Sequence, residues 1–158
     1  ITIEKQTPAS ALQVTSRAGL LMKSADGNFI RVGDLENAKN WKQQIIQDLS
    51  LRFNREKPSA AVITGYIDVP ETGVYYFSSD NDQVWVANRL LINNDGEVKR
   101  FSRHDSSIAL EKGKHALKIV FLNNTIGGWP SAWNGLTLQW KKEGEQEYKP
   151  VGKECLSY

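Results

Sequence analysis

Hydrophobic and polar residues alternate with a period of two in several stretches of the chain after residue 48. The alternation is clear in residues 49–53, 117–121 and 136–140. Successive side chains of a β-strand point to opposite faces, so this pattern predicts strands that each bury one face. We therefore expect the following side chains to point into the core: Leu117, Ile119, Phe121, Leu138 and Trp140.

Turn residues separate these short strands at regular intervals. Pro70 and Gly73 lie between a predicted strand at residues 59–69 and its hairpin partner at residues 74–79, and Asn94, Asp95 and Gly96 follow the next two strands. Proline cannot donate to a ladder, and Asn, Asp and Gly tolerate the backbone of tight turns. Many short strands spaced by turns predict an all-β fold, an antiparallel sandwich or barrel of the jelly-roll kind.

Residues 34–47 are the one stretch in which we expect a short helix. Asp34 is placed to cap it, and Trp41, Ile45 and Ile46 fit helical spacing over about three turns. At the N-terminus, residues 1–10 are polar and are interpreted as a linker or domain edge. Residues 11–158 are expected to form a single domain.

Composition excludes several functional classes. The 158 residues carry a net charge of only +2 and form no basic stripe, so charge does not predict nucleic-acid binding. No apolar run reaches the roughly 18 residues of a membrane helix, so no membrane span is predicted. Cys155 is the single cysteine and has no partner for an internal disulfide. Because the chain begins at Ile1, we interpret it as a fragment or a mature form, monomeric as a fragment.

The loop at residues 123–134 has the composition of a sugar-binding site. It holds two tryptophans among glycines and asparagines. An indole face stacks on the apolar face of a pyranose, and amide side chains bond its hydroxyls. The alternative is that the rings plug one end of the fold or pack on a neighbouring domain. The candidate ligand-binding residues of this loop are Asn123, Trp129, Trp133 and Asn134.

No residue is predicted to be catalytic. Glycoside hydrolysis needs two carboxyl groups across a cleft, and no acidic pair lies in a pattern that indicates one. His104 and Asp105 are adjacent, but neighbouring side chains of a strand point to opposite faces. We interpret residues 100–107 as a solvated or interdomain loop.

Three segments together resemble a known family. They read GYIDVPETGVYYFSSD at residues 65–80, ALEKGKHALKI at residues 109–119 and GLTLQW at residues 135–140. In this order they resemble the protective-antigen-fourteen domain, a β-sandwich module often attached to bacterial glycosidases and to adhesins. The resemblance covers about the last two thirds of the chain and agrees with the all-β fold expected from the alternation.

The resemblance also implies a candidate metal site. In the sugar-binding adhesin branch of the family, two adjacent aspartates at this place hold a Ca²⁺ ion that in turn holds sugar hydroxyls. Asp80 matches the first aspartate, Asn81 stands at the second, and Asp82 follows where glycine is common. Ca²⁺ is thus the candidate cofactor, with Asp80, Asn81 and Asp82 as its candidate ligands. The alternative is that Asp80 accepts backbone hydrogen bonds and closes the loop.

These observations lead to an expected function. The resemblance implies a non-catalytic accessory module of a bacterial glycoside hydrolase of the β-hexosaminidase type, which binds carbohydrate or positions the substrate. The expected partners are a glycan and the adjoining catalytic domain, and the expected location is the periplasm, the cell surface or the extracellular space of a bacterium. The alternative is a structural or protein-interaction domain without affinity for sugars.

Overall fold

The computed structural model describes residues 7–132 and 135–158. Within these residues the chain forms thirteen strands, all short except two. In chain order they are β1 Leu20–Asp26, β2 Lys42–Ile46, β3 Ser59–Val69, β4 Gly73–Ser79, β5 Gln83–Val86, β6 Arg89–Asn93, β7 His104–Leu110, β8 Gly113–Asn123, β9 Thr125–Ile126, β10 Trp129–Pro130, β11 Gln139–Lys142, β12 Lys149–Pro150 and β13 Leu156–Ser157.

The strands form two facing sheets and one small hairpin. The large sheet has the order β2-β1-β3-β8-β5-β6, with β13 paired to β3, and the small sheet has the order β12-β11-β4-β7. Every paired strand is antiparallel to its neighbour. This confirms the predicted all-β antiparallel fold and identifies it as an open sandwich rather than a closed barrel.

β3 and β8 form the centre of the large sheet. They pair over eleven residues each, from Ser59 opposite Asn123 to Val69 opposite Gly113. β3 ends at Val69, just before Pro70, and β4 begins at Gly73 in the facing sheet, so this turn links the two layers. The prediction of a strand, a turn and a second strand here is confirmed, but β3 and β4 are not hydrogen-bonded to each other.

The core lies between the two sheets. Leu117, Ile119, Phe121, Leu138 and Trp140 are all at most 4% exposed, as expected from the alternation. The Trp140 ring lies 5.3 Å from the Tyr75 ring and 5.9 Å from the Phe77 ring, measured between centroids. Aromatic pairs at this separation add to the stabilisation that burial gives.

Of the helix expected within residues 34–47, residues 34–37 belong to a 3-10 segment, but the expectation is wrong for residues 42–46. This segment is the edge strand β2, and Ile46 pairs with Leu20 of β1 while Lys42 pairs with Ser24. β2 has only five residues, of which Ile46 alone is buried. In so short a segment the positions of the apolar residues do not distinguish a strand from a helix. Helical structure among the described residues is limited to the 3-10 segments Val32–Asn37, Lys99–Phe101 and Lys153–Cys155, so two helical turns lie outside the predicted stretch.

Residues 49–53 and 136–138 point alternate side chains towards the core, as predicted, but they form no β-ladder. Leu49, Leu136 and Leu138 are buried, yet neither segment belongs to a strand. A single hydrogen bond of 3.2 Å from the Leu136 N–H to the Leu51 carbonyl joins them. Alternation indicates that one face of a segment is buried, but it does not indicate whether a partner strand is available for pairing.

A second, smaller core covers part of the outer face of the large sheet. Ala60, Val120 and Leu122 are buried there beneath Phe29, Val32 and Leu35. Val120 lies on the face opposite to Ile119 and Phe121, and the segment after β1 covers it. No helix among the described residues is long and apolar enough to cross a membrane.

Candidate functional site

Several loops meet at one end of the sandwich, which we call the loop end. β1, β4 and β8 finish here and β3, β5 and β7 begin here, because Ser59 pairs with both Asp26 and Asn123, and Ser79 pairs with His104. The loop end consists of residues 27–31, 80–82, 94–103 and 123–132. It therefore contains the described part of both candidate sites predicted from the sequence.

The β9–β10 hairpin projects Trp129 into solvent. Its turn is Gly127 and Gly128, whose φ angles are +63° and +85°. Glycine adopts this left-handed backbone without strain, and two consecutive residues with positive φ suit a tight hairpin turn. Trp129 pairs with Ile126 and is 69% exposed. An indole this exposed has a face available to a ligand.

Side chains from other segments hold the hairpin in place. The Thr125 N–H donates to Asn28 Oδ1 at 2.8 Å, and Asn28 Nδ2 donates back to the Thr125 carbonyl at 3.1 Å. Below them, Asn124 Nδ2 donates to the Phe29 carbonyl at 2.7 Å, and the Ser131 hydroxyl donates to Asn124 Oδ1. The hairpin that carries Trp129 is thus anchored on both sides.

Asn123 is part of the scaffold. Its Nδ2 donates to the carbonyls of Asn54 and Lys57 at 2.9 and 3.2 Å, which fastens the loop before β3. Trp133 and Asn134, the other two residues predicted for the sugar site, lie outside the described residues. Of the predicted sugar-site residues in this loop, Trp129 is the described one that faces solvent.

Asp80 and Asn81 bond to Thr137. The Thr137 hydroxyl donates to Asp80 Oδ1 at 2.5 Å, and the Thr137 N–H donates to Asn81 Oδ1 at 3.3 Å. Asn81 Nδ2 donates to the Thr137 carbonyl at 2.7 Å, and Asn81 is fully buried. These bonds close the loop between the two sheets, as the alternative interpretation of this loop expected, although through a hydroxyl rather than a backbone N–H at Asp80.

Asp82 forms a buried ion pair with Lys99. Lys99 Nζ lies 3.1 Å from Asp82 Oδ1, and the two side chains are 0% and 1% exposed. The Leu122 N–H donates to Asp82 Oδ2 at 2.6 Å, so both carboxylate oxygens have a partner. Burial nevertheless raises the pKa of Asp82 to about 6. Lys99 was not predicted from the sequence, because a lysine in a polar stretch is normally solvated.

These residues do not fit a Ca²⁺ site as they are arranged. Calcium takes six to eight oxygen ligands, whereas the oxygen of Asn81 accepts a backbone bond and Asp82 faces an ammonium group. Within the described residues, no group of three or more His, Cys, Asp or Glu side chains is arranged to hold a metal. The predicted metal site stays a prediction, and the cation seen at this place is Lys99.

A second exposed aromatic ring lies on a neighbouring segment. Phe101 is 78% exposed, and the Arg100 guanidinium lies 5.1 Å from the centre of its ring. The Arg100 N–H donates to the Ser131 carbonyl at 2.7 Å, which joins this segment to the end of the β9–β10 hairpin. Phe101 belongs to the loop that we interpreted as solvated, and exposure of a large apolar ring was not foreseen.

The fold and the loop end define an antiparallel β-sandwich domain in which the two most exposed aromatic rings of the described residues, Phe101 and Trp129, lie where the loops meet. The family model of the PA14 domain, the protective-antigen-fourteen domain, matches residues 16–153. The chain belongs to the PA14 domain family. The resemblance found in the sequence is thereby confirmed.

A curated relative is much longer than this chain. A β-hexosaminidase of Porphyromonas gingivalis is 35% identical over 166 residues, which cover 99% of this chain and 21% of that protein. This chain therefore spans about a fifth of the length of that curated relative.

Solved structures share the fold at low identity. The PA14 domain of the antifreeze protein MpAFP has a TM-score of 0.64 at 12% identity, covering 99% of this chain and 96% of that one. The Epithelial Adhesin 9 A domain of Candida glabrata, solved in complex with Galβ1-3GlcNAc, has a TM-score of 0.60 at 11% identity, covering 92% and 91%. Both likenesses support the β-sandwich.

Proposed function

We propose that this chain is a non-catalytic module of a longer glycoside hydrolase of the β-hexosaminidase type, and that it binds carbohydrate or positions the substrate. The observation that carries the proposal is Trp129, 69% exposed at an anchored hairpin. Membership of the PA14 family and the 35% identity to a β-hexosaminidase support the hydrolase context. The adhesin domain solved with a disaccharide supports a glycan as the ligand.

The loop end suits weak sugar binding. An exposed indole stacks on the C–H face of a pyranose, and Phe101 offers a second apolar surface nearby. Because each hydroxyl bond to protein replaces one to water, a stacked ring and a few polar contacts give little net free energy. We expect a Kd near the millimolar range, about −4 kcal/mol.

The experiment is a titration of the chain with N-acetylglucosamine and with short glycans that contain it, followed by NMR. Ligand should shift the Trp129 indole N–H peak, and Trp129→Ala should abolish binding without changing the fold. Trp41→Ala, at a tryptophan that is 39% exposed on the edge strand side, is the matched control and should bind as the wild type does. Unchanged binding by Trp129→Ala would contradict this site, and no peak shift up to tens of millimolar would contradict binding of the glycans tested.

The remaining parts of the proposal concern context. The module is attached to a catalytic domain, and the host enzyme lies in the periplasm, at the cell surface or outside a bacterial cell, where polymeric glycans are found. Fractionation of cells that produce the complete host protein, with detection of this domain by antibody, tests the location. Recovery in the cytoplasmic fraction alone would contradict it.

A second candidate function is docking to the adjoining catalytic domain, and the outer face of the large sheet favours it. One row of paired residues crosses six strands on this face: Ile45, Leu21, Thr64, Lys118, Trp85 and Leu90. Ile45 and Leu90 are each 40% exposed. Beside this row lies a groove of about 600 Å³ that Leu21, Tyr66 and Trp85 help to line. Exposed apolar side chains beside a groove are typical of interaction sites, although Thr64 and Lys118 interrupt the apolar residues of this row.

The two candidate functions predict different mutational effects. If the face docks on the catalytic domain, Ile45→Ser with Leu90→Ser should weaken binding of the separately produced catalytic region of the host enzyme, as measured by calorimetry. The same double variant should leave glycan binding unchanged, because its residues lie on the sheet face. Equal affinity of the wild type and the double variant for the catalytic region would contradict docking through this face.

A further inference from the structure

Lys99 occupies an unusual position for a lysine. It is the one buried lysine among residues 7–132 and 135–158, and its side chain is 0% exposed. Its ammonium group lies 3.1 Å from Asp82 Oδ1 and 3.3 Å from Asn124 Oδ1. The Phe121 ring lies 5.8 Å from the same nitrogen. An isolated charge is costly to bury, so a fully buried ammonium with three partners is an organised site.

The oxygen atoms around Lys99 come from separate parts of the loop end. Asp82 closes the loop between β4 and β5, and Asn124 follows β8. Asn124 also holds the Phe29 carbonyl and the Ser131 hydroxyl, so one amide connects Lys99 to the segment after β1 and to the β9–β10 hairpin. Through Asp82 and Asn124, the ammonium group therefore connects the segments that position Trp129.

Asp82 requires a cation at this point. Its carboxylate is 1% exposed, and a buried carboxylate without a counter-charge is strongly unfavourable. Hydrogen-bond donation by the Leu122 N–H satisfies one oxygen but supplies no full charge. In the described part of the chain, Lys99 is the group that supplies it.

We propose that the Lys99 ammonium is the built-in cation of the loop end, which orders the 80–82 loop and the Trp129 hairpin in place of an exchangeable metal ion. Because this cation is covalently part of the chain, it does not dissociate at low ion concentration and chelators do not remove it. Lys99 is a positioning residue that acts on Trp129 through Asn124 and Ser131. The proposal concerns the order of the loop end and holds whether or not the module binds sugar.

The test uses variants that remove the ammonium with and without its counter-charge. They are Lys99→Met, Lys99→Ala and the double variant Asp82→Asn with Lys99→Met, and the control is Lys57→Met. Lys57 pairs with Asp26 at 3.7 Å, but these side chains are 67% and 63% exposed. Two readouts are taken: the melting temperature, and the indole N–H peak of Trp129, assigned with Trp129→Phe.

Loss of one partner of a buried ion pair should lower the melting temperature of Lys99→Met by about 10 °C and shift the Trp129 peak. The double variant should melt above Lys99→Met, because no unpaired carboxylate remains buried. Lys57→Met should match the wild type, since exposed ion pairs contribute little. The wild type should show the same melting temperature and Trp129 peak with EDTA and with Ca²⁺.

Chemical rescue adds a readout that a purely packing role would not change. Propylammonium matches the atoms that Lys99→Ala removes, so it should raise the melting temperature of that variant saturably and return the Trp129 peak towards its wild-type position. Tetramethylammonium carries the same charge without N–H donors and should do neither.

Several results would overturn the proposal. They are loss of wild-type stability in EDTA, a Lys99→Met variant that melts with the wild type, or no propylammonium effect on folded Lys99→Ala. Should Lys99→Ala fail to fold, a double variant that melts no higher than Lys99→Met would overturn it as well.

Discussion

Residues of the same type have opposite roles in this protein according to their burial. Phe121 is 1% exposed in the core, and Phe101 is 78% exposed at the loop end. Likewise Asp82 and Lys99 are buried together while other charged pairs, such as Lys57 with Asp26, lie at the surface. At the scale of single residues, exposure therefore decides whether a side chain stabilises the fold or is available to a ligand.

The two phenylalanines give a matched prediction. Phe121→Ala should lower the free energy of unfolding by about 3–5 kcal/mol, because it removes a buried ring that packs at 4.8 Å on Phe53. Phe101→Ala should change it by less than about 0.5 kcal/mol, because that ring is mostly in solvent. Urea denaturation of the two variants measures both values. Similar losses of unfolding free energy in the two variants would contradict the prediction that the buried ring stabilises the fold and the exposed ring does not.

Asp82 should make stability depend on pH. Burial raises its pKa from 3.8 to about 6, against the opposing effects of Lys99 and the Leu122 amide, and Asp95 adds to the rise. The folded state thus takes up a proton between about pH 6 and pH 4 that the unfolded chain does not. Stability from this group is fully present below about pH 4 and is lost as the pH rises through 6, by about 3 kcal/mol.

Two measurements check this dependence. Carboxyl ¹³C NMR should show Asp82 titrating near pH 6, and urea denaturation from pH 4 to 7 should show the corresponding slope in the wild type but not in Asp82→Asn. An Asp82 midpoint below pH 4 would contradict the raised pKa. It would mean that Lys99 and the Leu122 amide outweigh the cost of burial.

At the scale of elements, strands approach one another so closely at some positions that only glycine fits there. Gly65 lies on β3 where β13 and β1 come together, and a Cβ atom built there would be 2.4 Å from the Ser157 carbonyl oxygen and 2.5 Å from Leu20 Cδ2. β13 is only two residues long, and it pairs with β3 through Leu156 and Ser157. The attachment of the C-terminal strand thus depends on the absence of a side chain at residue 65.

Gly65→Ala should lower the free energy of unfolding by about 1–3 kcal/mol through overpacking. Hydrogen exchange at Ser157 should become faster, since β13 has to move away from β3. Gly33→Ala is the control, because a Cβ atom there would have no neighbour within 4 Å. Equal denaturation midpoints for the two variants would show that β13 accommodates the methyl group without cost.

At the scale of the whole molecule, the two ends and faces of the sandwich have different surfaces. The loop end presents Trp129 and Phe101, whereas the outer face of the large sheet presents Ile45 and Leu90. A module within a longer chain needs one surface for its host and another for its ligand. The separation of these two exposed groups is consistent with that arrangement and underlies both functions considered above.

The isolated chain should release no product from chromogenic hexosaminides. Glycosidic cleavage requires a carboxyl group on each side of the bond, and two of the acids of the loop end, Asp80 and Asp82, are bonded to Thr137, Lys99 and Leu122. Product release measured with the purified chain checks this. Turnover that persists through purification and disappears on replacing one acidic residue would contradict the accessory-module proposal.

The amino-acid sequence alone is enough to predict the fold class, the inward faces of several strands and the family. Period-two alternation is a local signal of which face is buried, so it identified Phe121 and Trp140 as core residues. The order of three segments sufficed for the family, and turn residues marked where strands end. The exposed indole of Trp129 was one of two alternatives that the loop composition left open.

The pairing of distant segments and the contacts between buried polar groups could be read from the folded chain but not from the sequence. β2 was expected to be helical because five residues carry too little periodicity, and its pairing with β1 settled its conformation. Val120 is buried by residues of the 29–35 segment, and Asp82 by Lys99 and the end of β8. These outcomes depend on contacts between residues far apart in the chain, whose energies no local pattern contains.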